Sequence, residues 1–211
     1  MTDNTSHSDN NISNSKESKE IIRKSMRDKR NSLTNQEYLI AAKSCADIII
    51  NNNILQHKQK IAFYLSQNNE LDLYMLIEHC LVNKKECYLP VLNNNVLNFA
   101  KYTHNSKLQS NKFNIPEPAL TDNKNDLITA DQLDLVFVPL VAFTKSGQRL
   151  GMGGGYYDQT FAFLREPLNN KKDTPILIGV AYGIQCLDNL PTDSWDINLH
   201  GIATENEYIK I

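Results

Sequence analysis

Long apolar runs, paired cysteines and an excess of charge of either sign are all missing from this chain. No apolar stretch approaches the ~20 residues a membrane-spanning helix needs. The four cysteines, Cys45, Cys80, Cys87 and Cys186, include no C-x-x-C pair. That argues against a zinc site or a disulfide framework, and they read as the reduced thiols of a cytoplasmic protein. The 22 basic residues nearly balance the 24 acidic ones, for a net charge of −2. Neither nucleic acid nor a membrane surface is therefore expected as a partner. His7, His57, His79, His104 and His200 share no ligand spacing and receive no role. The segment Met1–Ser18 is rich in Asn and Ser, with no arginine and no apolar core. A disordered tail is expected there rather than a secretory or transit peptide.

What remains, 19–211, suits one domain with a sizeable core. Lys16 to Ser32 reads as a basic helix with Ile21, Ile22 and Met26 as a partial apolar stripe. Thr34 and Glu37 form a capping-box signature that opens a second helix to about Ile50. Leu39, Ala42, Ala46 and Ile49 are spaced for its buried face. Lys60–Leu65 reads as a buried strand, and Glu70 and Asp72 as first-turn acids of a helix over Leu73–Val82. Glu86–Val91 and Val96–Tyr102 read as a hairpin around Asn93–Asn95, and 103–130 as mostly loop. Asp134–Phe143 is the strongest strand signal. Ser146–Gly147 is a turn, Tyr156–Leu164 a helix, and Ile176–Ala181 and Gly201–Thr204 further strands. Strands alternating with helices predict an α/β fold: a mostly parallel sheet with helices on both faces.

Between a buried strand and a helix lies G-Q-R-L-G-M-G-G-G-Y-Y-D, Gly147 to Asp158. Ligands of α/β proteins bind at the carboxyl ends of the strands, where such a loop would sit. Gly151, Gly153, Gly154 and Gly155 allow positive φ and close approach, so exposed N–H groups can gather around an anion. The helix N-terminus would add to that field. Arg149 offers a bidentate contact to phosphate, and Asp158 a carboxylate for magnesium. The loop lacks the G-K-[ST] ending of a Walker A motif and the spacing of a dinucleotide fingerprint. A phosphate site is expected, against the plainer reading of a flexible surface loop.

The run R-L-G-x-G-x-G-Y-Y-D after V-P-x-x-A-F closely resembles the signature of the 5-formyltetrahydrofolate cyclo-ligase, or 5,10-methenyltetrahydrofolate synthetase, family. K-E-I-I-R (Lys19–Arg23), L-S-Q-N-N-E-L-D (Leu65–Asp72), I-P-E-P (Ile115–Pro118) and Q-C-L-D-N-L-P-T-D-S-W-D (Gln185–Asp196) resemble its other landmarks in order. The resemblance implies a single domain of the NagB/RpiA/CoA-transferase-like class, monomeric and cytoplasmic. It implies an ATP- and Mg2+-dependent enzyme that closes 5-formyltetrahydrofolate to 5,10-methenyltetrahydrofolate, releasing ADP and phosphate.

It also implies residue roles. Lys19 and Arg149 would be catalytic, neutralising the transferred phosphoryl group. ATP would contact Lys19, Glu20, Ile21, Ile22 and Arg23, then Arg149, Leu150, Gly151, Met152, Gly153, Gly154, Gly155, Tyr156 and Tyr157. The folate would contact Arg23, Leu65, Glu70, Met152, Gly153, Gly154, Gly155 and Tyr156. Asp158 and Asp196 would hold magnesium. Without the resemblance, Lys19 and Arg23 read as a solvated basic face shared with Lys24, Arg27 and Arg30. Glu70 then reads as a helix-start acid, Asp196 as a turn residue and the tyrosine pair as core. One position departs from the family: Gly154 stands where a lysine is common, and Arg149, Lys145 or Lys19 would have to compensate. Two further readings stay open at this point: a sugar-phosphate or coenzyme A enzyme on a similar sheet, and a folate- or nucleotide-binding module without turnover.

Overall fold

The structure, a computed structural model, describes residues 6–120, 127–165 and 174–211, with 6–15 described by backbone alone. Helix α1, Ser6–Asn31, covers the basic helix expected from Lys16 and continues on its N-terminal side. Residues 1–5 of the expected tail lie outside the described residues. Helix α2, Asn35–Asn51, starts where the capping box places it. Glu37 N donates to Thr34 Oγ1, and Thr34 N donates back to Glu37 Oε2. Its buried face is Ala41, Ala42, Cys45, Ala46 and Ile49, and Leu39 is 67% exposed. Leu39 therefore does not belong to the stripe: the true face turns one residue away from it. Ile21 of α1 is likewise exposed, while Met26 is buried.

The remaining elements are β1 (Lys60–Ala62), α3 (Tyr74–Val82), β2 (Glu86–Asn93), β3 (Val96–Tyr102), β4 (Leu108–Ser110), β5 (Pro116–Pro118), β6 (Leu127–Ile128), β7 (Leu135–Pro139), β8 (Ala142–Phe143), β9 (Arg149–Leu150), α4 (Tyr156–Thr160), β10 (Ile176–Val180), β11 (Gly201–Ala203) and β12 (Tyr208–Lys210). Eight of the described strands form one sheet in the order β12-β11-β10-β7-β1-β2-β3-β6. The five from β11 to β2 are parallel, and β12, β3 and β6 add antiparallel edges.

Both faces of this sheet are dry, as near-continuous apolar strands require. On β7, Leu135 and Phe137 point to one core with α2 and α3, and Val136 and Val138 to the other. The second core is closed by α4, by the 3-10 turn Ala162–Arg165 and by Ile197 and Leu199. Phe63 stacks on Phe137 at 5.3 Å between centroids beneath α2 and α3.

Several boundaries differ from expectation for local reasons. The run Asp134–Phe143 is two strands, because the chain leaves the sheet after Pro139 and re-pairs Ala142–Phe143 with β9. The expected strand Lys60–Leu65 is regular only to Ala62, although Phe63 N still donates to Tyr88 O. The helix after the glycines lasts five residues before a 3-10 turn takes over at Ala162. The expected loop at 103–130 holds β4, β5 and β6, with 121–126 outside the described residues. Glu70 is not a first-turn acid of α3: it lies ahead of the helix, and Asp72 Oδ1 accepts from Tyr74 N instead.

Candidate active site

The carboxyl ends of β1, β2 and β7 open into one cleft of about 790 Å³. Segment 64–70 leaves β1, Leu89–Leu92 ends β2 and Pro139 ends β7, so the parallel sheet delivers three loops to the same rim. The hairpin β8–β9 folds the chain back through Gly147, whose φ of 92° and N–H to Thr144 O close the turn. That return buries Arg149 against the cleft and launches the glycine segment across it.

Charges of both signs meet there. Arg149 Nη2 donates to Asp158 Oδ1 at 2.5 Å, and Ile197 N donates to the same oxygen at 3.0 Å. Lys19 Nζ lies 2.6 Å from Asp193 Oδ2 and 3.8 Å from Asp196 Oδ2. Arg23 Nε donates to Gly151 O at 2.9 Å, and its Nη1 pairs with Glu20 Oε1 at 2.6 Å. Lys19 and Arg23 are both buried, so they are not part of a solvated basic face; exposed Lys24 is. Spaced one helical turn apart, they carry α1 to the glycine loop and to the 193–196 turn.

The glycine segment is held but not satisfied. Among the described residues, the amides of Met152, Gly153, Gly154 and Gly155 donate to no protein acceptor. Gly153 and Gly155 take φ of 104° and 65°, a region side chains rarely adopt. Gly154 does not need its freedom of φ; a Cβ there would meet the Tyr156 ring at 2.6 Å. The following helix is too short for a macrodipole to matter, so the loop amides carry the anion field.

Glu70 borders the cleft on the opposite side, its Oε2 accepting from Gln67 N at 3.0 Å. Burial pushes its carboxyl above the usual range, against the Gln67 N–H and the Arg30 charge, which pull it down. Tyr156 meets Phe113 edge to face at 6.1 Å within the cleft. Tyr157 touches the cleft but stacks on Phe161, and burial drives its hydroxyl pKa up, as for a core aromatic. Leu65, Leu150, Gly151 and Met152 also line the wall.

Of the expected site residues, the fold does not bring Ile21 or Ile22 to the cleft: Ile21 faces solvent, and Ile22 packs against the cluster of Met26, Val141 and Leu190. Lys145, one of the expected substitutes for a lysine at 154, pairs with Glu207 at the surface. Sequence reasoning missed Asp193, which stands inside the quoted D-N-L-P-T-D-S-W-D run without a role, although it is the nearest partner of Lys19. It missed Phe113 too, which no periodicity marks in a polar segment.

Asp158, Asp193 and Asp196 offer hard oxygen ligands beside these cations. Asp158 uses one oxygen for Arg149 and Ile197, and Asp196 uses one for Asp193 N, which leaves one oxygen of each carboxylate outside those bonds. No group of three or more described His, Cys, Asp or Glu residues forms a complete metal cage. The donor set fits magnesium, which is held by one or two carboxylates and completes its shell with phosphates and water.

Comparisons with known proteins agree with this layout. Residues 15–205 match the 5-formyltetrahydrofolate cyclo-ligase family. The 5-formyltetrahydrofolate cyclo-ligase of Haemophilus influenzae is 39% identical over 155 residues, 71% of this chain and 79% of that protein. The solution structure of Aquifex aeolicus 5,10-methenyltetrahydrofolate synthetase superposes with a TM-score of 0.75 at 28% identity, covering 91% of this chain and 92% of that one. A synthetase structure from Mycoplasma pneumoniae shares the fold, with a TM-score of 0.67 at 24% identity, covering 89% of this chain and 98% of that one. With its glycine signature, its parallel sheet and these relatives in agreement, the chain belongs to the 5-formyltetrahydrofolate cyclo-ligase family.

Proposed function

We propose that this cleft converts 5-formyltetrahydrofolate to 5,10-methenyltetrahydrofolate at the expense of ATP. The observation that carries the reading is the set of unpaired amides at 152–155, set beside Arg149, Lys19 and Arg23 in one cleft. Unpaired donors and buried cations suit a polyphosphate.

The chemistry needs no protein nucleophile. The formyl oxygen attacks the γ-phosphorus, the bond to the β-phosphate oxygen breaks, and ADP leaves. N10 attacks the activated carbon, phosphate departs with the former formyl oxygen, and the N10 proton is released. Arg149 and Lys19 neutralise charge on the phosphoryl oxygens, and the loop amides orient them. Arg23 fixes the loop through Gly151 O, where it would border both ligands. Glu70 accepts hydrogen bonds from the amino and N–H edge of the pterin, which requires its carboxylate form. Tyr156 and Phe113 supply an aromatic wall to the folate side, and Tyr157 the nucleotide side. Asp158 and Asp196 would hold a magnesium ion, which supplies charge neutralisation between phosphate oxygens.

We further propose a catalytic domain of 19–211, with the segment before Lys16 dispensable, acting as a cytoplasmic monomer without nucleic-acid partners. The near-neutral charge supports the lack of a nucleic-acid partner. No described helix is long and apolar enough to cross a membrane. Family membership disfavours a sugar-phosphate or coenzyme A substrate. The test is direct. Purified protein with ATP, magnesium and 5-formyltetrahydrofolate should generate the near-ultraviolet absorbance of the methenyl product. Folate binding without product would leave an inert binding module.

A further inference from the structure

One buried cation of α1 lies outside the cleft just described. Arg30 follows Lys19, Arg23 and Met26 along the inner face of the helix, and it is 1% exposed. Among the described residues, none of its three guanidinium nitrogens has a hydrogen-bond partner. A buried charge of this kind persists only where an opposite charge lies within reach. The neighbouring segments are clamped together: Asn69 Nδ2 donates to Asn31 Oδ1 at 3.0 Å, tying the residue before Glu70 to the residue after Arg30. Glu70 lines the cleft and Arg30 does not, so the cation stands outside the wall whose carboxylate faces the ligand.

We propose that Arg30 is a positioning residue for the pterin site, supplying a buried positive charge behind the cleft wall that carries Glu70. The inference rests on the assignment of Glu70 to the folate made above.

The groups around Glu70 leave this task to Arg30. Tyr38 of α2, Tyr64 after β1 and Tyr157 of α4 also face it electrostatically, and burial raises all three hydroxyls. They therefore stay neutral near pH 7 and supply no counter-charge. Gln67 contributes one N–H. Burial favours the protonated carboxyl; the Gln67 N–H opposes it most, and Arg30 adds the opposing charge. Tyr182, whose buried hydroxyl is also without a partner, feels the same cation. Without Arg30 the carboxyl titrates at a higher pH, so pterin binding fails earlier on acidification.

The experiment is the pH profile of kcat/KM for 5-formyltetrahydrofolate in the full chain at saturating ATP and magnesium. Arg30→Met should move the acid limb to higher pH, with a higher KM on that limb. The loss should recover at alkaline pH, and KM for ATP should not change. Arg30→Lys should restore the limb, and Arg30→Gln carries the same measurement if the methionine variant does not fold. In a Glu70→Gln background the Arg30 substitution should add no shift. An equal loss at every pH, or an equal shift with and without Glu70, would overturn the positioning role. So would an acid limb in Arg30-intact protein that persists unchanged in Glu70→Gln. Separately, Glu70→Gln with an unaltered KM for the folate would remove the substrate assignment, and absence of turnover in the unsubstituted protein would remove the proposed function.

Discussion

Asp158 serves two donors at once, so its replacement separates stability from turnover. In Asp158→Ala the Arg149 side chain, 5% exposed, loses its only anionic partner among the described residues, and Ile197 N loses its acceptor. Removing one member of a buried pair costs about 3–5 kcal/mol; with Asp158 itself 16% exposed, the lower end, about 3 kcal/mol, applies. For chains of about 150–250 residues each kcal/mol moves Tm by about 2–4 °C, so a fall of about 6–12 °C is expected. Asp158→Asn keeps an oxygen for both donors and loses only the charge. It should cost about 1–2 kcal/mol, with Tm lower by about 2–8 °C. Turnover should divide differently. Neither alanine nor asparagine supplies an anionic ligand to magnesium, so both variants should lose kcat to a similar extent despite unequal melting. Thermal melts with and without magnesium-ATP, beside turnover followed at the methenyl absorbance, make the comparison. An alanine variant melting within about 2 °C of the parent would refute the buried pair. An asparagine variant with full kcat and an unchanged magnesium requirement would refute the metal role.

Thr34→Ala removes the capping box of α2 and should cost about 1 kcal/mol, seen as a small fall in Tm, with KM for both substrates unchanged. Gly154→Lys restores the residue common in the family but drives a Cβ into the Tyr156 ring at 2.6 Å. KM for the folate should rise, and kcat should show no large gain because Lys19 and Arg149 already serve the cleft. A large gain in steady-state turnover would show that nothing compensates for the glycine. Deleting residues 1–15 should leave turnover intact, since the assigned contacts begin at Lys19; loss of folding or activity would show that the segment contributes to the domain.

Features fixed by neighbouring residues were the legible ones. Thr34 and Glu37 announce a helix start because both partners of the box lie within one turn. The hairpin β2–β3 follows from two apolar runs around Asn93–Asn95, and Asn94 takes the φ of 55° that such a turn needs. Features set by distant packing were not. Leu39 has the right spacing for the buried face, yet α2 docks one residue around from it. The chain bends out of the sheet after Pro139 although an unbroken apolar run continues to Phe143, because a doubly buried strand carries no alternation to betray its end.

The basic face of α1 shows why local rules miss a site. Lys19 finds its partner at Asp193, 174 residues along the chain, and Arg23 finds Gly151 at a separation of 128. No window of sequence contains both halves of either contact. Helical spacing puts positions 19, 23, 26 and 30 on one face, but charge at three of them argues for solvent. The face is buried nevertheless, and its charges at Lys19 and Arg23 lie against the acidic 193–196 turn and the glycine loop. A helix that hides cations where leucines would pack gives up stability at those positions unless opposite charges or ligands meet them. Such local conflict is expected at functional sites. By that argument the inward cations of α1 should gain more from bound ATP and folate than the exposed Lys24 and Lys29, which α1 turns to solvent.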